Sequence, residues 1–282
     1  MVSIGLDVGT GFVKCVSDYG HVIFPSLFAY RDLGKWEESQ GRIEAVGKKA
    51  KEFAKYPDAV IIRPVSEGRP IDERGFEALV SEAVSRVCSI RPHHTVDSEY
   101  NSEIAIVVGL PYDARKDKTR LRKIIEKRIH PTKCGIVPQV VGTLIDMNKK
   151  DAIIMSIGQG TTEIVAFDDR KLVFGTSVLQ ATDFITLGLG EFSYLQASTF
   201  AKHNSEIRKN VAKLTDILSN KLIGFMSQLD NKNHYDLVVS GGGIMIPGMK
   251  ESLEKKLGRK VEVPKIPIMS NAVGLYRLAR NE

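Results

Sequence analysis

The apolar positions of this chain fall into short runs with two different periods. Val2 to Val8, "VSIGLDV", is a short apolar strand that ends beside a Gly-Thr-Gly turn. Strand-like segments at Gly11–Ser17 and His21–Phe24 follow, and Pro25 ends the run, so residues 1–30 predict a three-strand meander. A helical stripe comes next, with Phe76, Leu79, Val80, Ala83, Val84 and Val87 on one face of Ile71–Cys88. Ser102–Pro111 predicts a buried strand, Ala114–Ile129 an amphipathic helix, and Cys134–Met147 a short strand running into a small-residue helix. Residues 31–60 show no clean period and predict one helix near Gly47–Phe53.

The opening theme then returns. Asp151–Leu179, "DAIIMSIGQGTTEIVAFDDRKLVFGTSVL", is again an apolar strand, a Gly-x-Gly turn, a second strand and a third. A long helix over residues 205–230 follows, then a strand, a triple-glycine turn and a helix within Tyr235–Gly258, and a last helix from Ser270. Each half therefore starts with a glycine-turned meander and continues into strand–helix units. That pattern predicts a duplicated α/β architecture with its boundary near residue 146.

Composition narrows the function classes. The 282 residues are 43% hydrophobic and 26% charged, which fits a folded globular chain rather than a disordered one. No apolar run is long enough to span a membrane, and the N-terminus starts directly on a strand with no basic leader, so no membrane span is expected. The three cysteines, Cys15, Cys88 and Cys134, are far apart and read as free thiols of a cytoplasmic protein. His93–His94 sits in a polar Pro-bearing stretch with no third ligand nearby, which favours a surface loop over a metal site. The net charge of +6 is densest on the Ala114–Ile129 helix, where no aromatic residue interleaves the cations, so a solvated helix face is expected rather than a nucleic-acid surface.

The glycine turns carry the candidate chemistry. A phosphate site needs backbone N–H groups free to meet an anion, small residues that permit close approach, and an acid to manage a metal. One such turn is also compatible with a plain hairpin. Two, one per half, are able to face each other and hold a polyphosphate from both sides. Gly241, Gly242 and Gly243 at the end of a later strand would let the backbone pass close to a flat ring or sugar. There is no G-x-x-x-x-G-K-[ST], so a P-loop is excluded.

With these motifs in order, the chain resembles the actin-like ATPases, the superfamily of actin, MreB, FtsA, ParM, sugar kinases and the large heat-shock chaperones. "LDVGTGFVK" is similar to their first phosphate loop, "SIGQGTTEIVAF" to the second, and "VSGGGIMIPGMKESLEKKL" to the adenosine loop. "VPQVVGTLID" and "SNAVGLYRLA" resemble the two hinge segments, and Ala45–Asp72 is similar to MreB and FtsA. The resemblance implies an α/β actin-like (ribonuclease H-like) two-lobe fold with a central nucleotide cleft. It sets residues 1–146 as the first lobe, with a small insertion at about 30–62, and 147–269 as the second, with the C-terminal helix packing back on the first.

By position, the resemblance assigns Asp7 to magnesium through water, and Gly9, Thr10, Gly11 and Lys14 to the phosphates. Gly158, Gln159, Gly160, Thr161 and Thr162 would hold the β/γ end from the other lobe, and Gly241, Gly242 and Gly243 would border the adenosine. Gln139 would orient the attacking water, with Asp7 as the other catalytic position. The implied ligands are ATP or ADP with Mg²⁺. Two departures qualify this. Ser156 stands where the family has an aspartate at the metal, which implies slow hydrolysis. Only residues 183–204 stand where relatives carry an outer subdomain, so the second lobe is expected to be shortened. The implied function is an ATP-binding protein that hydrolyses slowly as its lobes close, acting as a nucleotide switch or a filament subunit. The alternative is a non-polymerising chaperone- or activator-like partner of another protein; a sugar kinase lacks its substrate domain here.

Overall fold

The structure, a computed structural model, describes residues 1–33, 41–90, 103–187, 189, 197–230 and 232–281. His93–His94 lies outside them. In the first half, β1 (Val2–Val8), β2 (Phe12–Ser17) and β3 (Gly20–Pro25) form the meander, and β4 (Phe28–Leu33), β5 (Gly41–Val46), α1 (Lys48–Glu52) and β6 (Val60–Ile62) follow. Then come the short pair β7 (Val65–Ser66) and β8 (Arg69–Pro70), α2 (Glu73–Ser89), β9 (Ile104–Leu110), α3 (Lys118–Ile129), β10 (Lys133–Pro138) and α4 (Val140–Asp146). The second half has β11 (Ala152–Ile157), β12 (Thr162–Asp168), β13 (Lys171–Val178), α5 (Ala197–His203), α6 (Ser205–Met226), β14 (Asp236–Ser240), α7 (Met249–Leu257) and α8 (Ser270–Ala279).

Two sheets repeat one plan. The first runs β10-β9-β1-β2-β3, with β1 parallel to β9 and antiparallel to β2. The second runs β13-β12-β11-β14, with β11 parallel to β14 and antiparallel to β12. Where the first sheet has β10, the second has a single parallel bridge between Val238 and Glu262 beside β14. β1 and β11 are buried along their whole length, as central strands covered on both faces must be. The first sheet packs with α2 and α3 around Ile4, Leu6, Leu79, Val80, Ile106 and Ile125. The second packs with α6 and α7 around Ile153, Met155, Leu214, Leu218, Leu222 and Leu253.

Residues 31–60 differ from the expectation of a mixed stretch with one helix. They contribute to a three-stranded sheet, β5-β4-β6, over a small core of Leu27, Ala29 and Ala50. β5 is mostly exposed, so its sequence carries little apolar alternation to read. Asp72 caps α2 by accepting the Gly75 N–H at 2.6 Å, and Asn204 caps α6 through Glu206 and Ile207. Between the turn at Thr182–Thr186 and α6, the described residues hold one short helix, α5.

α4 and α8 cross between the two sheets. A Cβ on Gly274 would lie 1.8 Å from the Gly142 carbonyl oxygen, so only glycine permits this approach. The crossing is fastened by Thr143, whose fully buried hydroxyl lies 2.8 Å from Asn271 Oδ1 on α8 and 3.1 Å from Ser240 Oγ at the end of β14. α8 also packs on β1, and the Tyr276 hydroxyl donates to Asp18 at 3.0 Å. Both connections between the halves thus meet at one crossing point, next to the glycine run that follows β14.

Candidate functional site

The two glycine turns are built alike. In the first, the Gly9 N–H donates to the Phe12 carbonyl at 3.1 Å; in the second, Gly158 N–H donates to Thr161 at 3.0 Å. A Cβ on Gly158 would sit 2.8 Å from that Thr161 oxygen, and one on Gly160 would sit 2.8 Å from the Thr10 hydroxyl. The turn tips therefore touch across the lobes, and the glycines are what allow it. Between them lies a cavity of about 260 Å³.

Most of the residues named from sequence line this cavity. Asp7, Gly9, Thr10, Gly11, Lys14, Gln139, Ser156, Gly158, Gln159, Gly160, Thr161, Gly241 and Gly242 are all on its wall. Thr162 and Gly243 stand behind it. The Thr162 hydroxyl is used on the Gln180 carbonyl at 2.7 Å, and Gly243 packs against Ile157. Beside Gly241 and Gly242 the cavity has apolar walls from Met245, Ile246 and Ile268, and Asn271 also lines it. These were not singled out from sequence, nor were Phe12, Gly68, Thr182 or Thr199. Phe12, Met245, Ile246 and Asn271 had a signal, their places in the "LDVGTGFVK", "VSGGGIMIPGMKESLEKKL" and "SNAVGLYRLA" segments.

Charge is arranged differently on the two turns. Lys14 Nζ lies 3.0 Å from Asp7 Oδ2, and the two residues are direct cross-strand partners of β1 and β2. Gln159 is held by Asp183, which accepts from its amide, and by Thr182 at 3.3 Å; Arg63 reaches Asp183 from the first half at 3.2 Å. Ser156 pairs across β11 and β12 with Glu163, which is completely buried. Glu163 Oε1 accepts the Tyr112 N–H from the first lobe. Burial pushes the Glu163 carboxyl up to about 7; the Tyr112 N–H and the neighbouring Gln139 amide favour its charged form, and Asp7 and Asp113 oppose it. Glu163 lies within the "SIGQGTTEIVAF" segment, just beyond the second turn, and nothing in its local sequence marks it as buried.

The donor set facing the cavity suits a hard cation held through water. Asp7 offers a carboxylate and Ser156 a hydroxyl, both oxygen ligands of the kind magnesium takes. The set carries one negative charge, itself paired with Lys14, where two carboxylates would carry two.

The arrangement defines a class of fold. No protein-family model matches the chain, and no curated protein sequence does. Among solved structures, MreB 5 of Spiroplasma citri bound to AMPPNP superposes with a TM-score of 0.78 at 14% identity, covering 99% of this chain and 96% of that one. The MamK double helical filament gives 0.77 at 19% identity, covering 99% and 98%. Ethanolamine utilization protein EutJ from Carboxydothermus hydrogenoformans gives 0.67 at 15% identity, covering 98% and 89%. The chain has the actin-like fold, with two lobes, along its whole length. Among the described residues no helix is long and apolar enough to cross a membrane.

Proposed function

We propose that this chain is a nucleotide-binding actin-like protein that takes ATP with Mg²⁺ into the cleft and hydrolyses it slowly. The observation that carries this reading is the pair of equivalent glycine turns meeting across one cavity that also holds Asp7, Lys14 and Gln139. Thr10–Gly11 and Gln159–Gly160 offer N–H groups to phosphate oxygens, the Gly9 and Gly158 N–H groups being used to close the turns, and Lys14 adds a cation. Asp7 and Ser156 would hold the metal through water, and Mg²⁺ when bound neutralises phosphate charge. Hydrolysis needs a water oxygen to bond to the terminal phosphorus as the bond to the bridging oxygen breaks, leaving ADP and phosphate; Gln139 orients that water. Structural neighbours are recorded with AMPPNP and as a filament, which supports nucleotide-linked self-assembly as the use of lobe closure. Residence in the cytoplasm is part of the same reading.

Thermal unfolding with Mg-ATP tests the first step. At about 100 times the dissociation constant the wild type should gain about 2.7 kcal/mol. Gly158→Val should gain nothing, because its branched Cβ has no room beside the Thr161 oxygen. An unmoved wild-type transition would refute nucleotide binding. A second reading, a non-polymerising switch for another protein, is favoured by the short stretch between Thr186 and α6. Pelleting with ATP and with ADP, followed by negative stain, separates the two: filaments under ATP support assembly, and monomers under both support the switch.

A further inference from the structure

Glu163 is completely buried, yet only one of its carboxyl oxygens is used. Oε2 has no hydrogen-bond partner among the described residues, while the Gln139 amide lies beside the same carboxyl. A buried orphan acceptor costs about 1–3 kcal/mol, and more when charged. An apolar side chain of similar shape would serve stability better. Gln139 lines the cavity and Glu163 does not, so the carboxyl stands behind a cavity-lining amide.

We propose that Glu163 is a positioning residue for Gln139: Oε2 accepts from the amide Nε2–H, and Gln139 Oε1 is thereby turned toward the cleft as an acceptor. A primary amide has a donor end and an acceptor end of similar size, so without a partner both orientations are open. The surroundings select one. The other charges acting on Glu163 are Asp7 and Asp113, which as carboxylates donate nothing. The carboxyl is itself fixed by the seam between the lobes. The Tyr112 ring lies flat against Gly175, where a Cβ would meet it at 2.9 Å, and Asp113 Oδ2 accepts the Ser177 N–H at 2.8 Å. An acceptor aimed into the cleft is the end that orients a water for attack, and that consequence rests on the nucleotide reading. The amide orientation does not.

Two measurements test the proposal. In protein labelled with ¹⁵N-glutamine and free of nucleotide, the Gln139 side-chain signals are assigned by their loss in Gln139→Ala. Their protons should exchange with solvent about tenfold more slowly in wild type than in Glu163→Gln; equal rates would overturn the proposal. In single-turnover phosphate release, Glu163→Gln places a donor against Gln139 Oε1 and turns its NH₂ end to the cleft. The rate should fall at least about tenfold with nucleotide affinity held within about twofold. The double variant Gln139→Glu/Glu163→Gln returns an acceptor to the cleft and should recover most of the rate. A single variant that slows and a double variant that does not recover would make Glu163 a structural prop and sink the orientation argument. A wild type that binds no nucleotide would refute the function proposed above, and the exchange comparison would still decide this one.

Discussion

The hairpin β1–β2 and the hairpin β11–β12 share a backbone and differ in charge. Each closes its glycine turn with one N–H···O=C bond of nearly equal length, and each pairs the residue before the turn with the residue after it in the same register: Asp7 with Lys14, Ser156 with Glu163. The first pair is an ion pair on the wall of the cleft. The second is a neutral hydroxyl on the wall and a carboxyl sealed behind it. The turn geometry follows from where glycine stands, because close approach of two backbones depends on the missing Cβ. Chemistry is then placed on that geometry independently. One hairpin supplies a cation where phosphate would enter, and the other keeps an acid out of solvent beside Gln139.

The buried acid gives the largest expected contrast. Its proton is released near pH 4.5 in the unfolded chain but at about 7 in the fold. Between those values the folded chain binds more protons than the unfolded one, so stability falls as pH rises, and the loss is complete above about 7. Each tenfold change in proton affinity is worth about 1.4 kcal/mol, which makes the whole loss on the order of 3 kcal/mol. Glu163→Gln removes the titrating group and keeps the acceptor for Tyr112. Urea unfolding at about pH 5 and pH 8 should show wild type losing about 2.5 kcal/mol more than the variant over that interval. Other carboxylates titrate in both proteins and cancel. Equal losses would mean that Glu163 is ionised in the fold with a cation beside it.

The ion pair on the first hairpin should respond less. Lys14→Met keeps the stem of the side chain and leaves Asp7 without its cation. Removing one partner of a fully buried pair costs about 3–5 kcal/mol, but Asp7 lines the cavity rather than the core, so about 2 kcal/mol is expected here. Mg²⁺ should restore part of it in the variant and little in wild type, since the metal then supplies the missing charge. Chemical denaturation with and without Mg²⁺ reads this directly. A variant as stable as wild type would mean that the pair is solvated and makes no net contribution.

The comparison also explains what was readable beforehand. Glycine turns between apolar strands are local signals, and both meanders, α2, α3 and the strand–glycine–helix unit near β14 were legible from them. That residues of the two glycine turns would share one cavity was legible for the same reason, since each lies within a few positions of a turn. Ile268 was not, and Met245 and Ile246 were covered only as part of the glycine-run segment, because an apolar side chain facing a cavity has the same sequence signature as one facing a core. Glu163 was visible as an acid but its burial was not. That depends on Tyr112 and Gln139, far off in sequence, closing over it from the other lobe. The sheet β5-β4-β6 was missed because β5 is mostly exposed and carries little periodicity.

The smallest effect concerns Ser156. If a second carboxylate beside the metal is what the second hairpin lacks, Ser156→Asp should speed hydrolysis. The gain is limited by its neighbour, since the new charge faces Glu163 across the strand pair and makes ionising that carboxyl harder. A protonated Glu163 no longer accepts from Gln139, so part of the benefit at the metal is lost at the water. The net expectation is about a tenfold faster phosphate release at saturating Mg²⁺, or about 1.4 kcal/mol of barrier. Without Mg²⁺ the variant should be less stable than wild type, with two acids crowded on one face and no cation between them. Single-turnover rates across a Mg²⁺ titration measure both. A rate unchanged at every Mg²⁺ concentration would mean that the metal takes no ligand from this hairpin, and that the two turns divide the work completely: charge on the first, orientation on the second.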